Sequence, residues 1–174
     1  MINLYEVFEN DAPLTSEICL PQYDAEQEVN YHKSSYTAGW GYTKDPARII
    51  NPKNKKRPDQ LLEVEIEQVN HKQCFKWYQK YEIEINRNEH LCYGRGGKDA
   101  CRGDSGGPLF YQNIAGRYVQ RGIVSFGQGC GRNHRPGVYT NLWHYKEWIK
   151  TTINRYDFSA DFTAECIRPK MNIL

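Results

Sequence analysis

The stretch Gly103-Asp104-Ser105-Gly106-Gly107-Pro108 carries the strongest chemical signal in this 174-residue chain. Glycines and a proline around a serine favour a tight turn with positive φ angles and close approach of the backbone. Such a turn can aim the N–H groups of Gly103 and Ser105 at one point, where they would stabilise an oxyanion forming on an attacked carbonyl. The stretch therefore predicts a nucleophilic serine, with an ordinary glycine turn as the alternative. A nucleophilic serine also needs a base, usually histidine, and a carboxylate that orients the base.

Composition favours one oxidised, mostly β domain. The net charge of +2 gives no strong attraction to nucleic acid or to an anionic membrane. No apolar run approaches the roughly 20 residues that a spanning helix needs. Six cysteines without a paired C-x-x-C spacing favour disulfides in a secreted protein over a zinc site. The start Met1-Ile2-Asn3-Leu4 has no signal-peptide pattern, so we expect an N-terminal segment to be missing.

Short alternating apolar runs predict strands, and two longer runs with helical spacing predict helices. The predicted strands are residues 2–8, 35–41, 61–69, 107–112, 117–126 and 137–141, and the predicted helices are residues 71–81 and 143–153. Residues 44–60, rich in Pro, Asn, Lys and Arg, predict a long exposed loop. Its run Asn54-Lys55-Lys56-Arg57 is a binding patch, a cleavage site or simply a solvated loop.

Residues 98–109, Lys-Asp-Ala-Cys-Arg-Gly-Asp-Ser-Gly-Gly-Pro-Leu, resemble the active-serine segment of the trypsin/chymotrypsin family of serine proteases. Residues 122–130 resemble that family's substrate-binding strand, and residues 136–140 resemble the strand behind its specificity pocket. Ile18-Cys19-Leu20-Pro21, Gly39-Trp40-Gly41 and the last helix fit the same register, which runs from Ile2 to about Ile153.

This resemblance implies an all-β fold. It corresponds to the second six-stranded antiparallel β-barrel of the trypsin-like fold, with a short intermediate helix and a C-terminal helix, and without the first barrel. It also implies a partial peptidase domain at residues 1–155 and a C-terminal tail at residues 156–174.

The resemblance also implies the site residues. Ser105 matches the nucleophile, and Gly103 and Ser105 match the donors of the oxyanion hole. Asp99 matches the carboxylate at the floor of the S1 pocket, with an ordinary surface aspartate as the alternative. A carboxylate there would pair with Arg or Lys of the substrate. The remaining pocket residues are Ala100, which has no hydroxyl to contact a lysine and so favours Arg, and the walls Gly127 and Gly137.

Two disulfides follow from the resemblance, Cys74–Cys92 and Cys101–Cys130. Cys19 then pairs either with a segment upstream of this chain or with Cys166, since sequence does not determine connectivity. Asp104 matches the residue that pairs with the ammonium released on zymogen cleavage, and we expect no such terminus here. Arg102-Gly103-Asp104 also spells an integrin-binding tripeptide, but the turn needs Asp104 to point inward.

The same register predicts that two catalytic residues are missing. Met1 stands where the family has its aspartate, and Asp11 falls in the following loop, where we expect it in solvent. No histidine has the sequence context of the family's catalytic histidine, and this holds for His32, His71, His90, His134 and His144.

We therefore expect a secreted serine-type endopeptidase that cleaves protein or peptide substrates after Arg or Lys. We expect no cofactor, metal, nucleic acid or membrane in its activity. The isolated chain should be inactive, and a missing N-terminal segment, linked through Cys19, is an expected partner. The alternative is a non-catalytic homologue that acts as a binding or decoy module, although intact Asp99, Gly103 and Ser105 argue against it.

Overall fold

The computed structural model describes residues 18–21, 34–94 and 96–156. Outside these residues lie the predicted strand at residues 2–8, Met1, Asp11, His32 and the tail with Cys166. The strands and α-helices of the described part are, in chain order, β1 Ser34–Gly39, β2 Leu62–Glu67, α1 His71–Gln79, β3 His90–Tyr93, β4 Pro108–Gln112, β5 Tyr118–Phe126, β6 Gly137–Asn141 and α2 Leu142–Tyr156.

The strands form one antiparallel sheet in the order β2-β1-β4-β5-β6-β3. The sheet curls until its two edge strands meet, because Gln68 bridges Tyr93 and the Val69 N–H donates to the Cys92 carbonyl at 2.8 Å. The all-β prediction, with an intermediate helix and a C-terminal helix, is thereby confirmed.

The sheet and helices follow from the residue pattern. In β2 the glutamates face solvent while Ile66 is 1% exposed, which is the alternation expected of a half-buried strand. The helix α1 begins after Asn70, whose side-chain oxygen accepts the Lys72 N–H at 3.0 Å. An asparagine cap of this kind satisfies a backbone donor that the first turn leaves free.

One strand, β3, is absent from the sequence predictions. Its four residues are all buried or half-buried, so they show no alternation of apolar and polar residues. Pairing with β6 and the disulfide between Cys92 and Cys74 of α1 hold the segment extended. Tertiary contacts, and not a local signal, therefore make this strand.

The core lies inside the curl of the sheet. Its buried members come from five different segments: Ile66, Leu91, Tyr93, Ala100, Leu109 and Tyr139. Burial of each large apolar side chain contributes about 1.5–3 kcal/mol. A second cluster beneath α1 contains Cys74, Tyr78 and Val138. The two clusters give the loops at this end of the sheet a rigid base.

Residues 18–21 are attached to the sheet through β5. The Cys19 N–H donates to the Tyr118 carbonyl at 3.0 Å, and the Gln120 N–H donates to the Cys19 carbonyl at 2.8 Å. Cys19 is disulfide-bonded, whereas Cys166, its predicted alternative partner, lies outside the described residues. Over the described residues, neither helix has the length and apolar character needed to cross a bilayer.

Candidate active site

Ser105 lies in a turn between β3 and β4 that we name the serine loop (residues 101–107). Gly103 has a φ of +103° and Gly106 a φ of +83°, values that favour glycine. The Gly106 N–H donates to the Val124 carbonyl at 2.9 Å, and the Val124 N–H donates back to Gly107 at 2.9 Å. The loop is thus fastened to β5 while Ser105 remains exposed to solvent.

Asp104 points into the protein. Its Oδ1 accepts the Gly41 N–H at 2.7 Å and its Oδ2 accepts the Cys101 N–H at 2.9 Å. Because both carboxylate oxygens are engaged, the tripeptide 102–104 does not present its aspartate to a receptor. These two bonds instead hold the serine loop against the segment that follows β1.

Asp99 is a largely buried carboxylate behind the serine loop. Its Oδ2 accepts the Gly131 N–H at 3.0 Å. Its Oδ1 is buried and makes no hydrogen bond of good geometry with the described residues. Burial raises the pKa of Asp99 to about 7, although the backbone N–H groups of Gly131 and Ala100 oppose this rise. A carboxylate with one free oxygen in such a place is suited to receive a cation.

Gly127 and Gly137, the predicted pocket walls, face each other beside Asp99. A Cβ added to Gly137 would lie 2.6 Å from Asp99 Oδ1, and one added to Gly127 would lie 3.8 Å from the Gly137 Cα. The structure brings these residues together, but the walls are nearly in contact. The space between them must widen before a guanidinium can reach the carboxylate.

A cavity of about 490 Å³ lies on another side of Asp99. Asp99, Asp104 and Gly41 line it, but Ser105, Gly127 and Gly137 do not. Because a pocket for the substrate must open beside the nucleophile, this cavity is not the predicted specificity pocket.

Both disulfides implied by the resemblance are present. Cys101 bonds Cys130 with a Cα–Cα distance of 5.2 Å, and Cys74 bonds Cys92 with a Cα–Cα distance of 6.4 Å. The bond from Cys101 joins the serine loop to the segment that carries Gly131, the hydrogen-bond donor to Asp99. It therefore holds together the two segments that surround the carboxylate.

The histidines that the structure describes lie in other surroundings. His90 Nδ1 accepts the Asn86 N–H at 3.0 Å, and its ring packs 5.7 Å from Phe126. The His134 ring packs 4.9 Å from Trp77, and the His144 ring packs 4.8 Å from Tyr145. His71 begins α1. His90 is half-buried, whereas His134 and His144 are exposed.

Tyr78 belongs to the pocket surroundings, although no sequence signal indicates it. Its hydroxyl donates to the Pro136 carbonyl at 2.5 Å, and a Cβ added to Gly127 would lie 4.0 Å from this hydroxyl. Burial raises the pKa of Tyr78 to about 12, so the hydroxyl stays protonated. It anchors the segment before β6 behind the pocket wall.

Arg57 is a second residue that the sequence did not place at the site. A Cβ added to Gly103 would lie 3.1 Å from Arg57 Cζ and 3.2 Å from its Nε. The guanidinium also lies 5.2 Å from the centre of the Tyr42 ring. Its position at the end of a basic run is the one signal that could have drawn attention to it.

Several known proteins are similar in sequence to this chain. The trypsin family model matches residues 10–149. Human testisin is 42% identical over 126 residues, which are 71% of this chain and 38% of testisin. The clotting factor G beta subunit of Tachypleus tridentatus is 40% identical over 141 residues, which are 76% of this chain and 43% of that protein.

A third relative, the CLIP domain-containing serine protease B4 of Anopheles gambiae, is 40% identical over 146 residues, or 83% of this chain and 38% of that protein. The chain thus spans about two fifths of the length of these relatives. Since the family match covers most of the chain and includes the whole serine loop, this protein belongs to the trypsin family of serine proteases.

Proposed function

We propose that this chain carries the nucleophile, oxyanion hole and specificity pocket of a trypsin-like serine endopeptidase that cleaves after Arg or Lys. The observation that supports this most strongly is the buried Asp99 carboxylate, with one oxygen free, behind the loop that exposes Ser105. A buried charge needs a partner, and a substrate guanidinium or ammonium would supply one.

The proposed reaction begins when the substrate cation separates the walls at Gly127 and Gly137 and pairs with Asp99. This pairing would bring the carbonyl carbon of the same Arg or Lys residue to Ser105 Oγ. Attack forms the C–O bond, transfers the hydroxyl proton to a base and places negative charge on the carbonyl oxygen. The N–H groups of Gly103 and Ser105 would donate to that oxygen. The base then protonates the leaving amine as the C–N bond breaks, and water releases the acyl group.

The base and its orienting carboxylate are proposed to come from a first barrel that packs against this one. Two observations support this. His90 Nδ1 already accepts the Asn86 N–H, and the relatives extend well beyond the matched part. We also propose residues 1–155 as a partial peptidase domain, residues 156–174 as a tail, and an oxidising, extracellular location that suits the disulfides.

Hydrolysis of an arginine p-nitroanilide by the 174-residue chain tests whether the base must come from a first barrel. We expect no turnover above that of Ser105→Ala, because a serine without its base loses several orders of magnitude in rate. Turnover that disappears in Ser105→Ala would contradict the need for a first barrel. A full-length transcript that encodes no upstream histidine-bearing barrel would favour the non-catalytic homologue instead.

A further inference from the structure

We infer that Arg57 contacts the leaving-group side of the substrate and favours acidic residues at the two positions after the cleaved bond. This inference rests on the proposed function, because it takes Ser105 and Gly103 as the reacting centre. It adds a preference for the part of the substrate that the Asp99 pocket does not contact.

The position of Arg57 is defined by its proximity to Gly103 and to Tyr42. A Cβ added to Gly103 would lie 3.1 Å from Arg57 Cζ and also 3.1 Å from the Gly41 Cα. The Tyr42 ring lies 5.2 Å from the guanidinium carbon, within cation–π distance. Gly103 and Tyr42 therefore place the cation beside the proposed oxyanion hole.

The topology of the loop indicates which part of a substrate would meet this cation. On one side the serine loop is bonded to β5 through Val124, and the pocket walls Gly127 and Gly137 continue from that side. On the other side it is bonded to the segment after β1, where the Tyr42 N–H donates to the Arg102 carbonyl at 3.0 Å. We take the residues before the cleaved bond to lie along β5, as the resemblance of residues 122–130 to the family's substrate-binding strand implies. The residues after it then run toward Tyr42 and Arg57.

The charge of Arg57 is free to act on a substrate. Arg57 is exposed, and no carboxylate pairs with it among residues 18–21, 34–94 and 96–156. The basic loop (residues 44–57) adds five further exposed cations: Lys44, Arg48, Lys53, Lys55 and Lys56. Within residues 44–57 the one acidic residue, Asp45, is buried and bonded to Arg132, and the exposed Asp59 follows shortly after. The cations outnumber the exposed carboxylate, so an acidic leaving segment would meet a net positive field here, and a basic one would be repelled.

Binding of uncleavable peptides to the 174-residue chain tests the inference without requiring turnover. Four peptides with a reduced central bond combine Arg or Gln before that bond with Glu-Glu or Gln-Gln after it. Calorimetric titration gives the affinity of each peptide. The first position tests the Asp99 pocket, and the last two positions test Arg57, so the two proposals can fail separately.

For the wild-type chain we expect Glu-Glu to bind about two- to fivefold more tightly than Gln-Gln, the range of an exposed ion pair. Arg57→Gln should remove this preference and Arg57→Lys should keep part of it. Lys55→Gln, which removes a cation of the same loop, serves as the matched control and should retain most of the preference. In about 1 M salt, where the screening length is about 3 Å, the preference should disappear.

Each outcome has one meaning. Equal binding of Glu-Glu and Gln-Gln, or a preference that survives Arg57→Gln, overturns the role of Arg57. If peptides with arginine before the reduced bond still bind more tightly than peptides with glutamine there, the proposed Asp99 pocket is retained. A Glu-Glu preference without any arginine preference supports Arg57 and counts against the proposed pocket. Loss of both preferences overturns both.

Discussion

The Asp99 carboxylate is largely buried, but the proposed function requires it to be charged. Burial disfavours its charge and raises its pKa to about 7, yet a cationic substrate requires the ionised form. The Gly131 N–H bond at 3.0 Å keeps one oxygen oriented, while the other, which makes no hydrogen bond of good geometry with the described residues, would receive the proposed cation. The arrangement implies that binding of a cation and loss of the Asp99 proton occur together.

The affinity of the chain for benzamidinium should therefore rise with pH. With a folded pKa of about 7 for Asp99, the ionised fraction grows about tenfold between pH 6 and pH 8, and affinity should grow in proportion. Calorimetric titration across this range measures the effect. Asp99→Asn should lower the affinity at pH 8 by about tenfold or more, since it removes a charged hydrogen-bond acceptor. It should also remove the pH dependence, and a pH dependence that persists in this variant would assign the titration to another group.

The close contact between Gly137 and Asp99 gives a prediction for stability. An alanine Cβ at position 137 would lie 2.6 Å from Asp99 Oδ1, so Gly137→Ala must displace the carboxylate or the strand. We expect a loss of about 1–3 kcal/mol in the free energy of unfolding, the usual cost of overpacking. Gly127→Ala is the matched control, because its Cβ would meet no atom closer than 3.5 Å. Equal urea midpoints for the two variants would show that Asp99 and the strand accommodate the Gly137→Ala methyl group without cost.

The two disulfides join different segments of the fold. Their sequence separations, 18 and 29 residues, predict similar losses on removal, about 3 kcal/mol each from loop-closure entropy. Only Cys101–Cys130 joins the two segments around Asp99. Replacing Cys101 and Cys130 with alanine should therefore destabilise the chain and also abolish benzamidinium binding.

Replacement of Cys74 and Cys92 with alanine provides the matched control. This pair connects α1 to β3, away from the carboxylate. We expect a comparable drop in the denaturation midpoint with binding retained below that midpoint. Retained binding without Cys101–Cys130 would mean that the Gly131 bond alone orients Asp99.

Elements with a strong local pattern were predictable from the sequence. The alternation in β2 and the helical spacing in α2 depend on a few neighbouring residues, and both elements lie where the pattern indicates them. β3 was not predictable, because its pairing with β6 and its disulfide, and no periodicity, make it a strand.

Some residues of the candidate site were likewise predictable from the sequence, and others were not. The resemblance brought Asp99, Gly103 and Ser105 together as a set, because their spacing in one loop is part of a motif. Arg57 and Tyr78 could not be found, since each approaches the site from a distant part of the chain. Neither motif nor composition indicated that Gly127 and Gly137 lie nearly in contact.

At the scale of the whole molecule, one curled sheet positions every candidate residue. The serine loop joins β3 to β4, one pocket wall follows β5 and the other begins β6, so the sheet sets their relative positions. What this sheet is proposed to lack is the proton-transfer half of the reaction. We therefore propose that the chain selects the substrate and supplies the nucleophile, while the first barrel supplies the base.

Cleavage-site mapping by mass spectrometry, with the product of the full-length transcript and an unbiased peptide mixture, tests this claim most directly. We predict cuts after Arg and Lys alone, lost in Ser105→Ala and strongly reduced in Asp99→Asn. Cuts after other residues in the wild-type protein, or cuts at Arg and Lys that persist in Ser105→Ala, would contradict the account.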